Sequence, residues 1–319
     1  MAQDRWSIIC LCSHFKPEEG LRPLTTAEFR NLSILLRRYG KAPGDLFQMS
    51  HADLTAIGLE EGAIRRLFAL LDRVFHMEAL VDSYKNMGIH VVTATDPSYF
   101  PMMKATLGAN CPPVVCCAGN LSLGSKAVMG FVGARDIAPE DGEFAIRAVR
   151  KAVSQGFGIV SGGARGVDSI SEGEALRCGG FVVEFPAVAL LRRMRDPKTA
   201  RWIEDGRLLL ATPVAPNAGF SASLATTRNR MIYAHSHATI VVRATRCTGG
   251  TWSGASDALK RGLCPVLCRD YPYDGNQGLL AKGAIPIDHS WNGTSPAVPP
   301  HPATLEAPRE EAPEQFSIF

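Results

Sequence analysis

Hydrophobic residues recur at helical spacing through the first quarter of the chain. An apolar segment at residues 6–12 comes first, and helical runs follow at residues 25–39, 43–49, 50–57 and 60–84. Thr25 and Glu28 have the spacing of an N-terminal cap, and Gly40 is a typical helix stop. The apolar face of the longest run is formed by Ile64, Leu67, Phe68, Leu71, Val74 and Phe75. The pattern predicts a compact all-helical domain over residues 1–84.

From Gly88 onward, short apolar runs alternate with helical ones. Strands are predicted at residues 89–93, 114–117, 127–133, 157–160, 180–185, 208–212, 238–242, 264–267 and 284–287. Helices are predicted between them at residues 140–154, 169–177, 226–235 and 253–261. Strands that alternate with helices indicate a parallel sheet with both faces covered. We therefore expect an α/β domain with a mostly parallel sheet over residues 85–290.

Three of the predicted strands end in segments of small residues, and one of these segments also contains an arginine. The three segments are Gly133-Ala134-Arg135, Ser161-Gly162-Gly163 and Thr248-Gly249-Gly250-Thr251. The carboxyl ends of parallel strands meet at one edge of a sheet, and ligands of α/β proteins bind there. The sequence therefore predicts an anion site to which all three segments contribute.

The glycine turn, residues 161–168, links an apolar run to a helical run. The glycines that permit positive φ and close approach of a ligand are Gly162, Gly163 and Gly166. The turn is expected to direct backbone N–H groups at an anion, and Arg165 adds donors that match phosphate oxygens. Asp168 is expected to accept the first N–H groups of the following helix. The alternative is a tight strand-to-helix turn of the kind that any α/β protein can contain.

Arg228, Asn229 and Arg230 lie near the start of a predicted helix. Because residues two apart do not share a helical face, one arginine is expected to reach the ligand and the other to pack internally. Together with Arg135 and Arg165, they form a row that suits the successive phosphates of a nucleic-acid strand. A single mononucleotide would need fewer arginines, and internal ion pairs are the alternative.

The motifs of cofactor-dependent and hydrolytic enzymes are absent from the sequence. No predicted strand leads into G-x-G-x-x-G with an acidic residue about twenty positions later, and G-x-x-x-x-G-K-[ST] does not occur. There is no G-x-S-x-G elbow for a serine nucleophile. His235 and His237 are expected to be capping or surface residues, and no His or Cys spacing resembles a metal site. We predict no catalytic residue, cofactor or metal, and a nucleotide-binding or nucleotide-cleaving enzyme is the alternative.

The net charge is only +3, but it is unevenly distributed. Residues 291–319 contain four acidic residues and one basic residue, so the remainder carries about +6 and can accept a polyanion. This tail is rich in proline and glutamate, a composition that predicts disorder. The nine cysteines lack paired spacing, and free thiols in a reducing cytosol are expected. No signal peptide or membrane span is predicted, so we expect a cytoplasmic protein without a membrane partner.

Several of these segments together resemble the DprA/Smf family of DNA-processing proteins. The matching segments are Val132-Gly133-Ala134-Arg135, the glycine turn, Phe220 with Arg228-Asn229-Arg230-Met231-Ile232, Gly278-Leu279-Leu280 to Gly283-Ala284, and Gly88-Ile89 to Asp96-Pro97-Ser98-Tyr99-Phe100-Pro101. The resemblance covers about residues 25–288. It implies an extended Rossmann-like fold that binds single-stranded DNA in a basic pocket without known catalysis. It also implies a homodimer that loads the RecA recombinase on DNA during natural transformation.

The resemblance also assigns the pocket residues by position. They are Gly133, Arg135, Ser161, Gly162, Gly163, Arg165, Gly166, Arg228, Asn229 and Arg230. Trp252 or Phe220 is a candidate for stacking on bases, and either can equally belong to the core. In the N-terminal region, Ile57-Gly58-Leu59 lies between two short helices and resembles helix-hairpin-helix and SAM-like modules, some of which hold DNA backbones. Packing or docking of a partner is the alternative role of that region.

Two segments depart from the family pattern. The family usually has S-G-S/T-x-x-T-A where this chain has residues 247–255. The basic insert, residues 190–206, contains Arg192, Arg193, Arg195, Lys198 and Arg201. These departures favour a divergent paralogue, similar to the DprA-like proteins that accompany phosphoribosyltransferase toxins in defence modules. Natural transformation, antiphage defence and regulation of a cognate toxin are therefore alternative roles.

The end of the tail resembles a docking peptide. Gln315-Phe316-Ser317-Ile318-Phe319 is similar to the Q-L-S/D-L-F peptide by which bacterial replication proteins bind the sliding clamp. Aliphatic and aromatic anchors on a flexible linker suit an apolar groove. The predicted partner-binding residues are Gln315, Phe316, Ile318 and Phe319. An apolar chain end that folds back on the body is the alternative.

Overall fold

The computed structural model describes residues 2–15, 20–219 and 221–293. Helices account for the first part of the chain: α1 (Ala2–Cys12), α2 (Thr26–Arg38), α3 (His51–Ala56), α4 (Glu61–Asp72) and α5 (Val74–Asn86). The predicted cap of α2 is present, since Thr25 Oγ1 accepts the N–H of Glu28 at 3.2 Å and Glu28 Oε2 accepts that of Thr25 at 2.7 Å. The division of the chain into domains at residues 84/85 and 290/291 stays a prediction.

The prediction of one helix through residues 60–84 is wrong, because the helix breaks at Arg73 between α4 and α5. The buried Arg73 side chain donates from Nε to the carbonyl of Cys10 and from Nη2 to the carbonyl of Ser13, both at 2.9 Å. It thereby serves carbonyls at the end of α1, which have no partners within their own helix. Phe75, expected on the apolar face, follows the break and is 81% exposed.

Nine strands of the described residues form one sheet. They are β1 (Ile89–Thr93), β2 (Val114–Gly119), β3 (Val128–Val132), β4 (Gly158–Ser161), β5 (Val182–Glu184), β6 (Leu208–Thr212), β7 (Thr239–Val241), β8 (Val266–Arg269) and β9 (Ile285–Ile287). The order across the sheet is β1-β2-β6-β5-β4-β3-β7-β8-β9. β2 pairs antiparallel with β1 and β6, and the other pairs are parallel. The predicted α/β fold with a mostly parallel sheet is confirmed.

Helices cover both faces of this sheet. They are α6 (Pro101–Leu107), α7 (Pro139–Ser154), α8 (Val167–Arg177), α9 (Leu190–Met194), α10 (Pro197–Glu204), α11 (Ala222–His235), α12 (Gly249–Arg261) and α13 (Asp274–Leu280). Because side chains alternate along a strand, Met129 and Phe131 of β3 pack with α7, while Val128 and Val132 pack with α11 and α12. Within the described ranges, no helix combines the length and apolar composition needed to cross a membrane.

The N-terminal helices share a hydrophobic core with one face of the sheet. Ile8, Ile9 and Leu11 of α1 are fully buried in the same cluster as Val91 of β1. Arg5 Nη2 also donates to the carbonyl of Val91 at 2.7 Å. α1 is thus attached to an edge strand of the sheet by apolar packing and by a hydrogen bond.

Candidate functional site

A cavity of about 630 Å³ lies at the carboxyl ends of β3 and β7. This carboxyl-edge cavity is lined by residues 132–136 after β3, residues 243–245 after β7, residues 248–251 at the start of α12, and one side of α11. Ala164 and Asp168 of the glycine turn complete the lining. Two of the three predicted strand-end segments therefore line one cavity. The third contacts it through Gly162, which touches the lining residue Arg228.

Close backbone packing brings these segments together. A Cβ on Gly133 would lie 2.3 Å from Cγ2 of Val167, so the loop after β3 approaches α8 this closely only with glycine at that position. Thr251 Oγ1 donates to the carbonyl of Gly133 at 3.0 Å. Asn229 Nδ2 donates to the carbonyl of Gly250 at 3.2 Å. The start of α12 is therefore held both by the loop after β3 and by α11.

Arg228 is buried at the wall of this cavity, with no hydrogen-bond or ion-pair partner among the described residues. It is 8% exposed, and it forms no hydrogen bond or ion pair with any residue in the described ranges. Its Nε is fully enclosed and has no acceptor among those residues. Buried guanidinium groups are ordinarily paired with a carboxylate or with several carbonyls, because an unpaired buried charge is costly. An anion in the cavity would supply the missing acceptors.

Three buried carboxylates lie near Arg228: Asp168 and Glu172 of α8 and Glu184 of β5. Burial lowers the pKa of Arg228, and these carboxylates partly offset that effect. Burial raises the pKa of Asp168 to about 6, against the opposing charge of Arg228. Burial, followed by the charges of Glu184 and Asp168, also raises the pKa of Glu172. Protonation of Asp168 and Glu172 therefore relieves repulsion within this group of carboxylates.

Two backbone N–H groups of the glycine turn are directed at these carboxylates. Gly163 N–H donates to Glu172 Oε1 at 3.0 Å, and Ala164 N–H donates to Asp168 Oδ2 at 3.3 Å. These two N–H groups are therefore used by carboxylates of the protein itself, and binding of an external anion by the glycine turn stays a prediction. The capping role expected of Asp168 is wrong, because its carboxylate accepts a loop N–H rather than the first N–H groups of α8.

The basic insert supplies an internal ion pair to the same group. Arg193 of α9 donates to Glu184 from Nε at 2.7 Å and from Nη2 at 2.8 Å, each bond to a different carboxylate oxygen. Glu184 is fully buried, and such a two-pronged pair is the geometry that best satisfies a buried carboxylate. Sequence reasoning missed Glu172 and Glu184. A charged residue within the apolar run Val182-Val183-Glu184-Phe185 is the signal that would have indicated the second.

The structure divides the predicted site residues into three groups. Gly133, Arg135, Arg228 and Asn229 line the carboxyl-edge cavity. Ser161, Gly162, Gly163 and Gly166 belong to the glycine turn beside it. Arg165 and Arg230 lie outside the lining, paired with Asp136 at 3.0 Å and with Asp257 at 3.1 Å. Arg228 and Arg230 thus diverge as expected for residues two apart. Phe220 and residues 315–319 lie outside the described residues, and the binding roles of the whole set stay predictions.

Arg243 and Tyr233 are among the lining residues that no motif indicated. Arg243 lies two positions after the end of β7, and Tyr233 lies on α11. The hydroxyl of Tyr233 is buried without a hydrogen-bond partner in the part of the chain that the structure describes. An inspection of every predicted strand end for arginine would have found Arg243, whereas Tyr233 lies within an apolar stretch that indicates only core packing.

His235 is a core residue, so its expected place at a cap or on the surface is wrong. It is 1% exposed, and its ring centroid lies 5.1 Å from that of Phe100 and 6.0 Å from that of Phe185. Burial lowers its pKa to about 3, which keeps the imidazole neutral. The half-buried His237 packs against Phe157 with ring centroids 5.7 Å apart.

The family described as DNA recombination-mediator protein A matches residues 90–292 of the chain. The chain belongs to this family. The match covers more than half of the sequence and includes every residue of the carboxyl-edge cavity. The resemblance to DprA/Smf proteins is therefore confirmed, and membership places the chain in DNA processing.

Two solved structures have the same fold. DNA processing protein A (DprA) from Streptococcus pneumoniae has a TM-score of 0.65 at 19% sequence identity, with 89% of this chain and 94% of that chain covered. DNA processing protein A from Helicobacter pylori, whose structure concerns a unique single-stranded DNA binding mode, has a TM-score of 0.52 at 23% identity, with 62% and 90% covered. No curated protein matches the chain. The two likenesses confirm the extended Rossmann-like architecture.

Proposed function

We propose that this member of the family binds single-stranded DNA in the carboxyl-edge cavity and acts in DNA processing without a chemical step of its own. Arg228 carries the proposal. It is a nearly buried guanidinium at the cavity wall, with no hydrogen bond or ion pair to any described residue. A DNA phosphate offers the anionic oxygens that such a group lacks.

Other groups around the cavity favour the same ligand. Arg135 is exposed on the loop after β3, and none of the described carboxylates forms an ion pair with it. Residues 248–251 open α12, and the N–H groups at a helix start favour an anion. A volume of about 630 Å³ admits individual nucleotides and not a duplex, which favours a single strand. The Helicobacter pylori relative, which has the same fold, is described with a single-stranded DNA binding mode.

Binding of fluorescent oligo-dT, in single- and double-stranded form, tests the proposal across salt concentrations. We expect salt-dependent binding that prefers the single strand. Arg228→Gln should weaken it about 10- to 100-fold, because a charge-assisted contact is lost. The slope of log affinity against log salt should become less steep by about 0.7 for one phosphate contact. Arg165→Ala tests the sequence-based prediction for that residue, and a smaller loss is expected because Arg165 is exposed and paired with Asp136.

Arg177→Gln is the matched control for Arg228→Gln. Arg177 is an exposed arginine at the far end of α8 from the glycine turn, paired with Glu174 at 2.6 Å. The Arg177→Gln variant should bind DNA as the wild type does. Equal binding by wild type and Arg228→Gln, or no binding by the wild type, contradicts the proposal.

A second candidate function is cleavage of a bound nucleotide. Asp168 lines the cavity, and its pKa of about 6 would suit general acid or base catalysis near neutral pH. Its carboxylate is 6% exposed and accepts the N–H of Ala164, which favours a structural role instead. Release of a free base or phosphate from nucleotides by the wild type, and none by Asp168→Asn, would establish the enzyme.

Partners other than DNA are proposals that rest on the sequence. They are a second copy of the chain, RecA, a cognate toxin, and the sliding clamp through residues 315–319. Transformation and antiphage defence differ in which of these partners is present. For the clamp, deletion of Gln315–Phe319 should abolish binding of purified clamp, and unchanged binding would remove that proposal.

A further inference from the structure

Arg243 lies in the carboxyl-edge cavity in a different setting from that of Arg228. Its Nη1 lies 3.2 Å from Oδ2 of the buried Asp141, and its Cζ lies 4.4 Å from the centroid of the Tyr273 ring. The Arg243 side chain is 32% exposed. The guanidinium is therefore fixed by a carboxylate and an aromatic ring, and it still contributes to the cavity lining.

The supports of Arg243 are themselves held in place. Asp141 is fully buried and accepts the N–H of Ala138 at 3.0 Å, Nη1 of Arg269 at 2.5 Å and the hydroxyl of Tyr273 at 3.1 Å. The Tyr273 ring lies 4.8 Å from that of Tyr271, and Arg269 Cζ lies 4.1 Å from the Tyr271 centroid. Arg269, Tyr271, Tyr273 and Arg243 thus form a continuous row of arginine–tyrosine contacts that ends at the cavity, with the two tyrosine rings inclined at 47°.

We propose that Arg243 is a base-stacking residue, which presents the free face of its guanidinium plane to an unstacked nucleobase of the bound strand. The inference rests on the function proposed above. The guanidinium carbon of Arg243 lies over the Tyr273 ring, and the residue also lines the cavity. Planar guanidinium groups stack on bases of single-stranded nucleic acids, and a plane that is already fixed loses little entropy on binding.

Arg228 and Arg243 offer different features to a ligand in the cavity. Arg228 has no described partner, so its charge is available to a phosphate. Arg243 shares the carboxylate of Asp141 with Arg269, so the exposed feature that it adds is a fixed plane. A strand with its phosphate at Arg228 and its base on Arg243 uses both features in one cavity.

Trp252, a stacking candidate from the sequence, is less suited to this role. A Cβ on Gly278 would lie 2.7 Å from the Trp252 ring, so the ring is packed against α13. The ammonium of Lys282 lies 5.6 Å from the Trp252 centroid, and Trp252 is not among the residues that line the cavity.

The test compares oligo-dT with an abasic deoxyribose-phosphate strand of the same length and charge. Arg243→Lys keeps the charge and removes the plane. We expect it to weaken oligo-dT binding about 10-fold, with an unchanged salt slope and unchanged binding of the abasic strand. Tyr273→Leu, which removes the ring behind Arg243, should act in the same direction, whereas Tyr273→Phe should keep most of the affinity. Arg177→Lys is the matched control and should change neither affinity.

Other outcomes distinguish failure of the stacking role of Arg243 from failure of the proposed DNA binding. Equal losses on the two strands, with a slope less steep by about 0.7, would make Arg243 a phosphate contact and overturn the stacking role. Unchanged oligo-dT binding by Arg243→Lys and Tyr273→Leu would also overturn it. Failure of the wild type to bind either strand would instead remove the proposed function. If Arg243→Lys does not fold, Tyr273→Leu gives the same readout.

Discussion

The guanidinium of Arg228 occupies the space that a side chain at Gly162 would fill. A Cβ on Gly162 would lie 1.8 Å from Nη1 and 2.4 Å from Cζ of Arg228. The φ angle of Gly162 is not in the left-handed region, so the backbone itself would accept alanine. The glycine is required by the arginine beside it and not by the turn.

Gly162→Ala is therefore expected to displace the Arg228 guanidinium rather than to unfold the turn. The cost in free energy of unfolding should be about 1–3 kcal/mol, as for other overpacked sites. Affinity for oligo-dT should fall about 10-fold or more, since the phosphate contact moves. Urea unfolding measures the free energy of unfolding, and titration of the same preparation with oligo-dT measures the affinity.

Gly173→Ala is the control for this substitution. Gly173 lies in α8, and a Cβ there meets nothing within 4 Å. Alanine should stabilise the helix by about 0.5–1 kcal/mol and leave DNA binding unchanged. If Gly162→Ala behaves like Gly173→Ala, the contact with Arg228 does not matter for binding.

The stability of the fold should depend on the protonation of Asp168. Burial raises its pKa from 3.8 to about 6, so folding favours the protonated form. This contribution is fully present below about pH 4 and is lost as the pH rises through about 6. The shift corresponds to about 3 kcal/mol between these limits. Asp168→Asn should therefore show a smaller decline of unfolding free energy with rising pH than the wild type.

Asp136→Asn is the control for the pH experiment, because the Asp136 side chain is 86% exposed. Its stability profile should follow that of the wild type. Urea denaturation at several pH values between about 4 and 8 gives the unfolding free energies of the wild type and both variants for this comparison. Parallel profiles for Asp168→Asn and the wild type would show that Asp168 does not titrate in this range.

Removal of Arg193 should destabilise the fold strongly. Arg193→Met leaves the fully buried carboxylate of Glu184 without its two-pronged partner, and loss of one member of a buried pair costs about 3–5 kcal/mol. The neighbouring exposed residue offers a control, Arg192→Met, which should change stability by less than about 0.5 kcal/mol. The double variant Arg193→Met with Glu184→Leu should recover most of the loss, and failure to recover would contradict the role of the buried charge.

His235→Phe should be tolerated. Both ring nitrogens are buried without partners among the described residues, and the ring packs edge-on against Phe100 and Phe185. An apolar ring of similar size should change stability by less than about 1.5 kcal/mol. In the wild type, NMR should show no titration of His235 above about pH 5, since its pKa is about 3. A loss above about 3 kcal/mol would indicate a hydrogen bond to the ring.

Secondary structure could be predicted where its causes are local. The cap formed by Thr25 and Glu28 lies within four residues, and the apolar strands that build the sheet are continuous in sequence. The convergence of residues 133–135 and 248–251 also followed, because parallel strands place their carboxyl ends at one edge. The break at Arg73 could not be predicted from the local sequence, because the carbonyls that the Arg73 side chain contacts lie at the end of α1, far away along the chain.

The electrostatics of the site could not be predicted for a similar reason. The glycine turn has the composition of an anion site, yet the N–H groups of Gly163 and Ala164 are used by carboxylates of the next helix. Glu184 is buried because Arg193, nine positions later, folds back on it. Within the described part of the chain Arg228 has no partner, and this is a property of its whole surroundings, which no local pattern of residues contains.

The attachment of α1 to β1 has a consequence for synthesis on the ribosome. Arg5 and Val91, which share a hydrogen bond, are 86 positions apart, so α1 is translated long before the strand that covers it. Until then the consecutive apolar residues 8–11 have no sheet to pack against. Before β1 is made, the apolar face of α1 can therefore pack only against the neighbouring helices, and the side of the helix that faces the sheet stays uncovered in the nascent chain.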